Sequence, residues 1–272
     1  MKLKIKAIIA YFTVVGGMLF SACSVGAIHT PLHDVAAEGD IQSFKALHSK
    51  RPKWVNEQDE YGYTPLYHAV ENGRSDIAKY LIEHGSDVNL KNKYGSNAFQ
   101  CVFYKGNIDE GLVKCFVEHH VDVNAKNGCG ANVLHYGLSM EDLDVNLVKY
   151  LVKHGADVNL QRDDGCTPLH IAIRDKCKKV TKQLAECGAD VNVKNKSGVT
   201  PLYYAVRSCD LDMVKCLVEH DADVNVKDSQ GVSLLRGLLD WGEYNELYVN
   251  NVERLEGFKA VVDYLRSHGA KE

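Results

Sequence analysis

The chain has 272 residues, 45% hydrophobic and 25% charged, ordinary values for a soluble globular protein with room for a large core. Lys and Arg number 32 against 36 Asp and Glu, a formal net charge of −4. That mild acidity lacks the basic face that phosphate binding requires, and it excludes nucleic acid as an expected partner.

The N-terminal segment is unlike the rest. Lys2, Lys4 and Lys6 form a positive start, and an uncharged stretch runs from Ala7 to Ile28. This segment resembles a bacterial lipoprotein signal peptide, with Phe20-Ser21-Ala22-Cys23 in the place of the lipobox. The resemblance implies removal of residues 1–22, acylation of Cys23 and a lipid anchor at the cell envelope, with residues 23–29 as a short tether. Phe20 departs from the Leu usual in that family, and Leu19 stands one place early. Two alternatives remain open. Val25-Gly26-Ala27 offers small residues for ordinary signal cleavage after Ala27, which would leave a periplasmic or secreted chain. An uncleaved anchor is the other, because about 20 apolar residues suffice to span a bilayer. In all three the Lys cluster stays cytoplasmic and the remainder is exported. Without residues 1–22 the chain carries 29 basic and 36 acidic side chains, a net charge of −7.

Beyond Ile28 the chain is periodic. Thr30, Thr64, Asn97, Asn132, Thr167, Thr200 and Ser233 follow one another at intervals of 34, 33, 35, 35, 33 and 33 residues. Each is a preferred helix N-cap, because its side-chain oxygen accepts an unpaired amide of the first turn. The fullest copy is Thr167-Pro168-Leu169-His170, with Pro at the first helical position, where its missing N–H is not needed. A second signature closes the units, as in His84-Gly85-Ser86-Asp87-Val88-Asn89 and His154-Gly155-Ala156-Asp157-Val158-Asn159. Its Gly suits a left-handed helix C-cap, and its His suits the negative end of the helix dipole. Gly62, Gly95, Gly130, Gly165, Gly198 and Gly231 then mark a turn between units.

These two motifs, recurring in register over residues 29–272, resemble the ankyrin-repeat family. The resemblance implies an all-α solenoid of about seven repeats over residues 30–272, each a helix-turn-helix plus a β-turn. In the second unit, helices are expected from Thr64 to about Asn72 and from about Ser75 to His84. Leu66, Ala69 and Val70 would form one buried stripe, and Ile77, Leu81 and Ile82 the other. Neither helix can bury both faces alone, so each unit depends on its neighbours.

Four units depart from the pattern. The first ends in Lys50-Arg51-Pro52-Lys53-Trp54-Val55-Asn56 without a C-cap Gly and is expected to be a polar N-terminal cap. The third has Asn97-Ala98-Phe99-Gln100 in place of the motif and is expected to be the loosest step. The third and fourth also carry two extra residues each between their helices. In the seventh the step from Ser233 to His268 is 35 residues, against 20 from Thr64 to His84. The extra residues, near Gly242–Glu256, are expected in a loop, either on the binding side or as part of an extended C-terminal cap.

The chain offers little for catalysis. Of the 12 His, His33, His135 and His170 occupy the motif position, and His84, His119, His154, His220 and His268 end second helices. These positions point to hydrogen bonding between units and capping rather than metal binding. There is no His-Glu-x-x-His, Gly-x-Ser-x-Gly, P-loop or dinucleotide fingerprint. No nucleophile stands with a base and an orienting group. No catalytic residue, cofactor, metal or small-molecule substrate is therefore expected. Cys-x-x-Cys is also absent. Cys115 and Cys216 stand where Tyr80 and Tyr150 stand in other units, sites expected to be partly buried. Cys177 with Cys209, and Cys129 with Cys166, are the pairs an oxidising compartment could bridge, each only with loop adjustment.

What remains is binding. The ankyrin resemblance implies a protein partner on the concave side, at the turn tips and the exposed end of each first helix. On this sequence those positions are Glu60, Tyr61, Tyr63, Glu71 and Asn72, then Lys93, Tyr94, Ser96, Tyr104 and Lys105. Asp163, Asp164, Arg174, Asp175, Lys196, Arg207 and Trp241 follow in later units. Tyr, Trp and Arg are enriched in binding hot spots, and Tyr61, Tyr63, Tyr94 and Tyr104 fall on two adjacent units. The expectation is a non-catalytic, monomeric protein-binding scaffold of the envelope. A host-directed factor of a host-associated bacterium is one alternative, and a redox or metal accessory protein of the envelope is another.

Overall fold

The computed structural model describes residues 29–104, 108–136, 144–228, 230–246 and 252–272. The signal segment with Cys23, and Lys105, lie outside them. Among the described residues no helix is long and apolar enough to cross a membrane.

The described chain forms helix pairs stacked in sequence order. The first helices are α1 (Pro31–Glu38), α3 (Pro65–Glu71), α5 (Ala98–Tyr104), α7 (Val133–Tyr136), α9 (Pro168–Arg174), α11 (Pro201–Arg207) and α13 (Leu234–Glu246). Their partners are α2 (Ile41–Lys50), α4 (Ser75–Glu83), α6 (Glu110–Glu118), α8 (Val145–Lys153), α10 (Lys178–Glu186), α12 (Leu211–Val218) and α14 (Val252–Ser267). Every first helix starts one residue after its expected cap. The Thr64 hydroxyl accepts the Tyr67 amide at 3.2 Å, and Asn97 Oδ1 accepts the Gln100 amide at 3.0 Å. No strand is present among the described residues beyond an isolated bridge between Lys227 and Ser233.

The two stripes of the second unit are buried as helical spacing requires: Leu66, Ala69 and Val70 on α3, Ile77, Leu81 and Ile82 on α4. They join a single apolar core that runs from Leu32 to Leu265. The helix-end histidines donate Nδ1–H to carbonyls four residues back, His84 to Tyr80 at 2.7 Å and His154 to Tyr150 at 2.8 Å. The first satisfies a carbonyl that the helix end leaves unpaired, and the second adds to the bond that Tyr150 already accepts from the His154 amide at 3.1 Å.

Two further bonds lock each unit to the next. The last Asn of each Asp-Val-Asn accepts the amide of the following unit's Asp and donates to the carbonyl that ends that unit's second helix. Asn124 does so with the Asp157 amide at 2.8 Å and the Gly155 carbonyl at 2.7 Å. Asn56 makes the same pair with Asp87 and Gly85, so the first unit, whose own second helix lacks the closing Gly, is clamped like the rest. Asn225 donates to Gly269 and accepts from Lys271, which shows the repeat resuming after the extra residues of the seventh unit.

Two expectations need correction. The third unit is not a loose step. Gln100 takes the role of the motif His: its Oε1 accepts the Asn97 amide at 3.0 Å and its Nε2 donates to Ala125 and Ala131 carbonyls at 2.8 and 3.2 Å. Phe99, Phe103 and Phe116 fill the core around it. In the seventh unit the described part of the insertion is helix rather than loop. α13 has 13 residues and α14 has 16, against 7 in α11 and 8 in α12. α14 passes so close to the Cys209 carbonyl that a Cβ on Gly257 would lie 2.8 Å from it.

The eight described cysteines are thiols rather than disulfides. Cys115 and Cys216 are half-buried, as their alignment with Tyr80 and Tyr150 implies.

Candidate interaction surface

The tips are built by one side chain and one glycine each. Asp59 Oδ1 accepts the amides of Tyr61 and Tyr63, both at 2.9 Å, and Asn92 does the same for Tyr94 and Ser96. The glycines between adopt φ of +76 to +81°, a region costly for other residues. Adjacent tips touch through backbone, with Lys93 N–H donating to Tyr61 at 3.0 Å and Gly128 N–H to Tyr94 at 2.8 Å. A Cβ on Gly165 would lie 2.7 Å from the Lys196 nitrogen, so this close stacking also needs glycine. The tips of the second, fourth and sixth units fold back on their own first helices. Asn195 Nδ2 donates to Tyr204 Oη at 3.3 Å, Asn127 pairs with Tyr136, and Asp59 pairs with His68 at 2.9 Å.

On this frame the expected residues separate into two groups. Tyr61, Tyr94 and Tyr104 are 49%, 60% and 42% exposed, the large apolar side chains that stand out of the described surface. Tyr63 instead is half-buried. Its ring stacks on Tyr67 at 4.4 Å, with Tyr61 at 6.2 Å and Tyr94 at 6.5 Å, and burial pushes its phenol pKa up. It is the base on which the two exposed rings rest. Tyr104 is held at the end of α5, its hydroxyl 3.3 Å from Ser96 Oγ and its ring 4.5 Å from Tyr136. Tyr136, not among the expected surface residues, thus carries the ring contact of Tyr104 into the fourth unit.

Glu60 and Lys93 are exposed at their tips, and Glu71 is half-buried at the end of α3. Asp164 has a structural partner: Arg162 grips its carboxylate and holds it far below the usual pKa range, while its Oδ1 also accepts the Cys166 amide at 3.0 Å. Arg174 donates Nε–H to Asp175 at 3.0 Å, and Arg207 donates to Tyr203 Oη at 3.1 Å while lying over that ring. Trp241 is on α13, but its side chain is outside the described set.

Comparison with known proteins agrees with this architecture. A family model described as ankyrin repeats (3 copies) matches residues 12–92, 99–195 and 142–228. The chain belongs to the ankyrin-repeat family. A crystal structure of an ankyrin repeat domain from Acinetobacter baumannii superposes with a TM-score of 0.65 at 28% identity, over 71% of this chain and 98% of that one. The human ASB11 ankyrin repeat domain gives 0.62 over 76% of this chain and 91% of that one; at 23% identity it shows the fold alone. Among curated proteins, the human NAD-capped RNA hydrolase NUDT12 is 37% identical over 79 residues, which is 29% of this chain and 17% of that protein. The yeast probable 26S proteasome regulatory subunit p28 is 36% identical over 69 residues, 25% of this chain and 30% of that protein. The chain thus spans under a third of these curated relatives.

One cluster on the ankyrin frame escaped the sequence reading. His29, Asp59 and His68 bring one ligand atom each to within 4.8 Å of one another. His29 and His68 belong to neither recurring histidine position, so no periodicity singles them out. Burial would raise the Asp59 pKa, but the His68 bond and the two tip amides hold it below the ordinary value.

Proposed function

We propose that this chain is a non-catalytic scaffold that binds a protein partner at the tips of its second and third units. The observation that carries the reading is the exposure of Tyr61, Tyr94 and Tyr104 on adjacent units, the first two beside the half-buried ring of Tyr63. Rigid, exposed aromatic rings lose little entropy on binding and desolvate readily, which is why such residues anchor interfaces. Glu60 and Lys93 beside them supply a charged rim.

Export to the cell envelope completes the proposal, with Cys23 acylated as the anchor. Its support is the N-terminal sequence: the Lys-rich start, the apolar stretch and Phe20-Ser21-Ala22-Cys23.

Crosslinking in the native cell, followed by capture with wild-type chain and with Y61A/Y94A/Y104A, tests the surface. The triple variant keeps wild-type helicity and loses the captured protein; identical capture overturns the reading. Metabolic labelling with a fatty-acid analogue tests the anchor. Label is incorporated into wild type and not into C23A, and an unlabelled wild-type chain overturns lipidation.

A further inference from the structure

We propose that His29 Nδ1, Asp59 Oδ2 and His68 Nε2 bind one divalent ion of the zinc class. The site would tie the residue before the first helix to the second unit.

The tip–helix pair that contains Asp59 has no structural need of ionisable groups. In the sixth unit the same two positions are Asn195 and Tyr204, bonded at 3.3 Å, and in the fourth they are Asn127 and Tyr136. The second unit alone combines a carboxylate with an imidazole there, and a second imidazole faces the same oxygen. His68 Nε2 lies 2.9 Å from Asp59 Oδ2, and His29 Nδ1 lies 4.0 Å from it. The other oxygen, Oδ1, is occupied by the Tyr61 and Tyr63 amides, which orients Oδ2.

The far nitrogen of His29 is also held, since Nε2 is 2.8 Å from Asp34 Oδ1. A carboxylate on the remote nitrogen is the usual outer-shell partner of a ligating His; it fixes the ring and raises its basicity. Two imidazoles and one carboxylate suit zinc and its first-row neighbours rather than magnesium or calcium, which take oxygen. Bonds of about 2.0–2.2 Å require the three atoms to draw closer than 4.8 Å. The His29 side chain, 50% exposed, has room to make that movement, while Asp59 is 5% exposed and already placed. His33 is adjacent, its ring 5.1 Å from that of His29, but its own nitrogens are taken. Nδ1 accepts the Thr30 amide at 3.0 Å, and Nε2–H donates to the Glu57 and Tyr63 carbonyls.

The repeats themselves supply the control. D59N keeps the side chain that caps the tips of the third, fourth and sixth units. D59N/H68Y converts Tyr67-His68-Ala69-Val70 to the sequence that stands at residues 203–206. Both variants should therefore fold. Tag-free full-length chain in mild detergent is stripped with a chelator, then titrated with Zn²⁺ at pH 7.5 against a chromophoric competitor, with metal content read by mass spectrometry. Wild type retains one equivalent, D59N binds at least ~10-fold more weakly, and D59N/H68Y has no site. Co²⁺ bound to wild type shows d–d bands without thiolate charge transfer, which separates this site from the cysteines. Failure of wild type to retain an equivalent, equal affinity in D59N/H68Y, or a thiolate signature each overturns the proposal.

Discussion

Asn159 Oδ1 accepts the backbone amide of Asp190, 31 residues on, at 2.7 Å. The Nδ2 of the same side chain donates to the Gly188 carbonyl at 3.3 Å, at the end of the next unit's second helix. One amide side chain therefore pairs a donor and an acceptor that no helix can satisfy internally. Repetition of this contact from Asn56 to Asn225 fixes the register of the stack. Replacing Asn159 with Ala should cost about 1 kcal/mol, the net worth of an exposed hydrogen-bonded pair. The N159D change, though isosteric, should cost at least as much, because a carboxylate cannot donate to Gly188 and meets the negative end of α10. Urea midpoints of the two variants check both statements, and an unshifted midpoint for N159D refutes the clamp.

The two kinds of tyrosine should behave oppositely. Y94A removes a ring that is 60% exposed and should leave stability within about 0.5 kcal/mol. Y63A removes the ring stacked 4.4 Å from Tyr67 and should cost about 2 kcal/mol. Thermal melts of the two proteins distinguish a binding residue from a supporting one. Equal losses would show that Tyr94 is structural as well.

Acid should weaken the stack through its motif histidines. Burial lowers the pKa of His135 to about 4, with the Cys166 carbonyl bond partly opposing the shift, and lowers that of His170 for the same reason. In the unfolded chain these groups titrate near 6.5. Between those values the unfolded state binds more protons, so stability is full above pH 6.5 and falls as pH drops toward 4. For His135 the difference is worth roughly 3 kcal/mol at most. H135Q places there the residue that the third unit already uses as Gln100. Its denaturation midpoint should change less between pH 7 and pH 4.5 than that of wild type, and an identical pH dependence contradicts the assignment.

Besides α2, two second helices, α6 and α12, end without the expected glycine. His120 and Asp221 adopt φ of +60° and +67°, where Gly85, Gly155 and Gly188 stand in other units. That conformation costs a side-chain-bearing residue about 1 kcal/mol. H120G should raise the melting temperature by a few degrees, and a lower value would show that the His120 side chain has a role of its own.

Much of this architecture is legible in the residues alone. Caps such as Thr64, closing residues such as His84 and Gly85, and the stripe of Leu66, Ala69 and Val70 follow from bonds and burial within one helix. Such features obey the helical period wherever the chain sits, so a linear sequence displays them. The exposed Tyr61, Tyr94 and Tyr104 were also visible, because the turn glycines locate the tips and the caps locate the ends of the first helices. Stacking decided the rest. Whether a tyrosine at a tip stands exposed or half-buried depends on the rings packed around it; this separates Tyr94 from Tyr63. Asp164 carries the same charge in sequence as in space, but Arg162 closes on it only once the turn has formed. Gln100 replaces a His because both reach the same carbonyls of the following unit. His29, Asp59 and His68 meet because a residue ahead of the first helix, a turn and a second-unit helix converge. Their offset is set by the packing of one unit on another and has no period of its own.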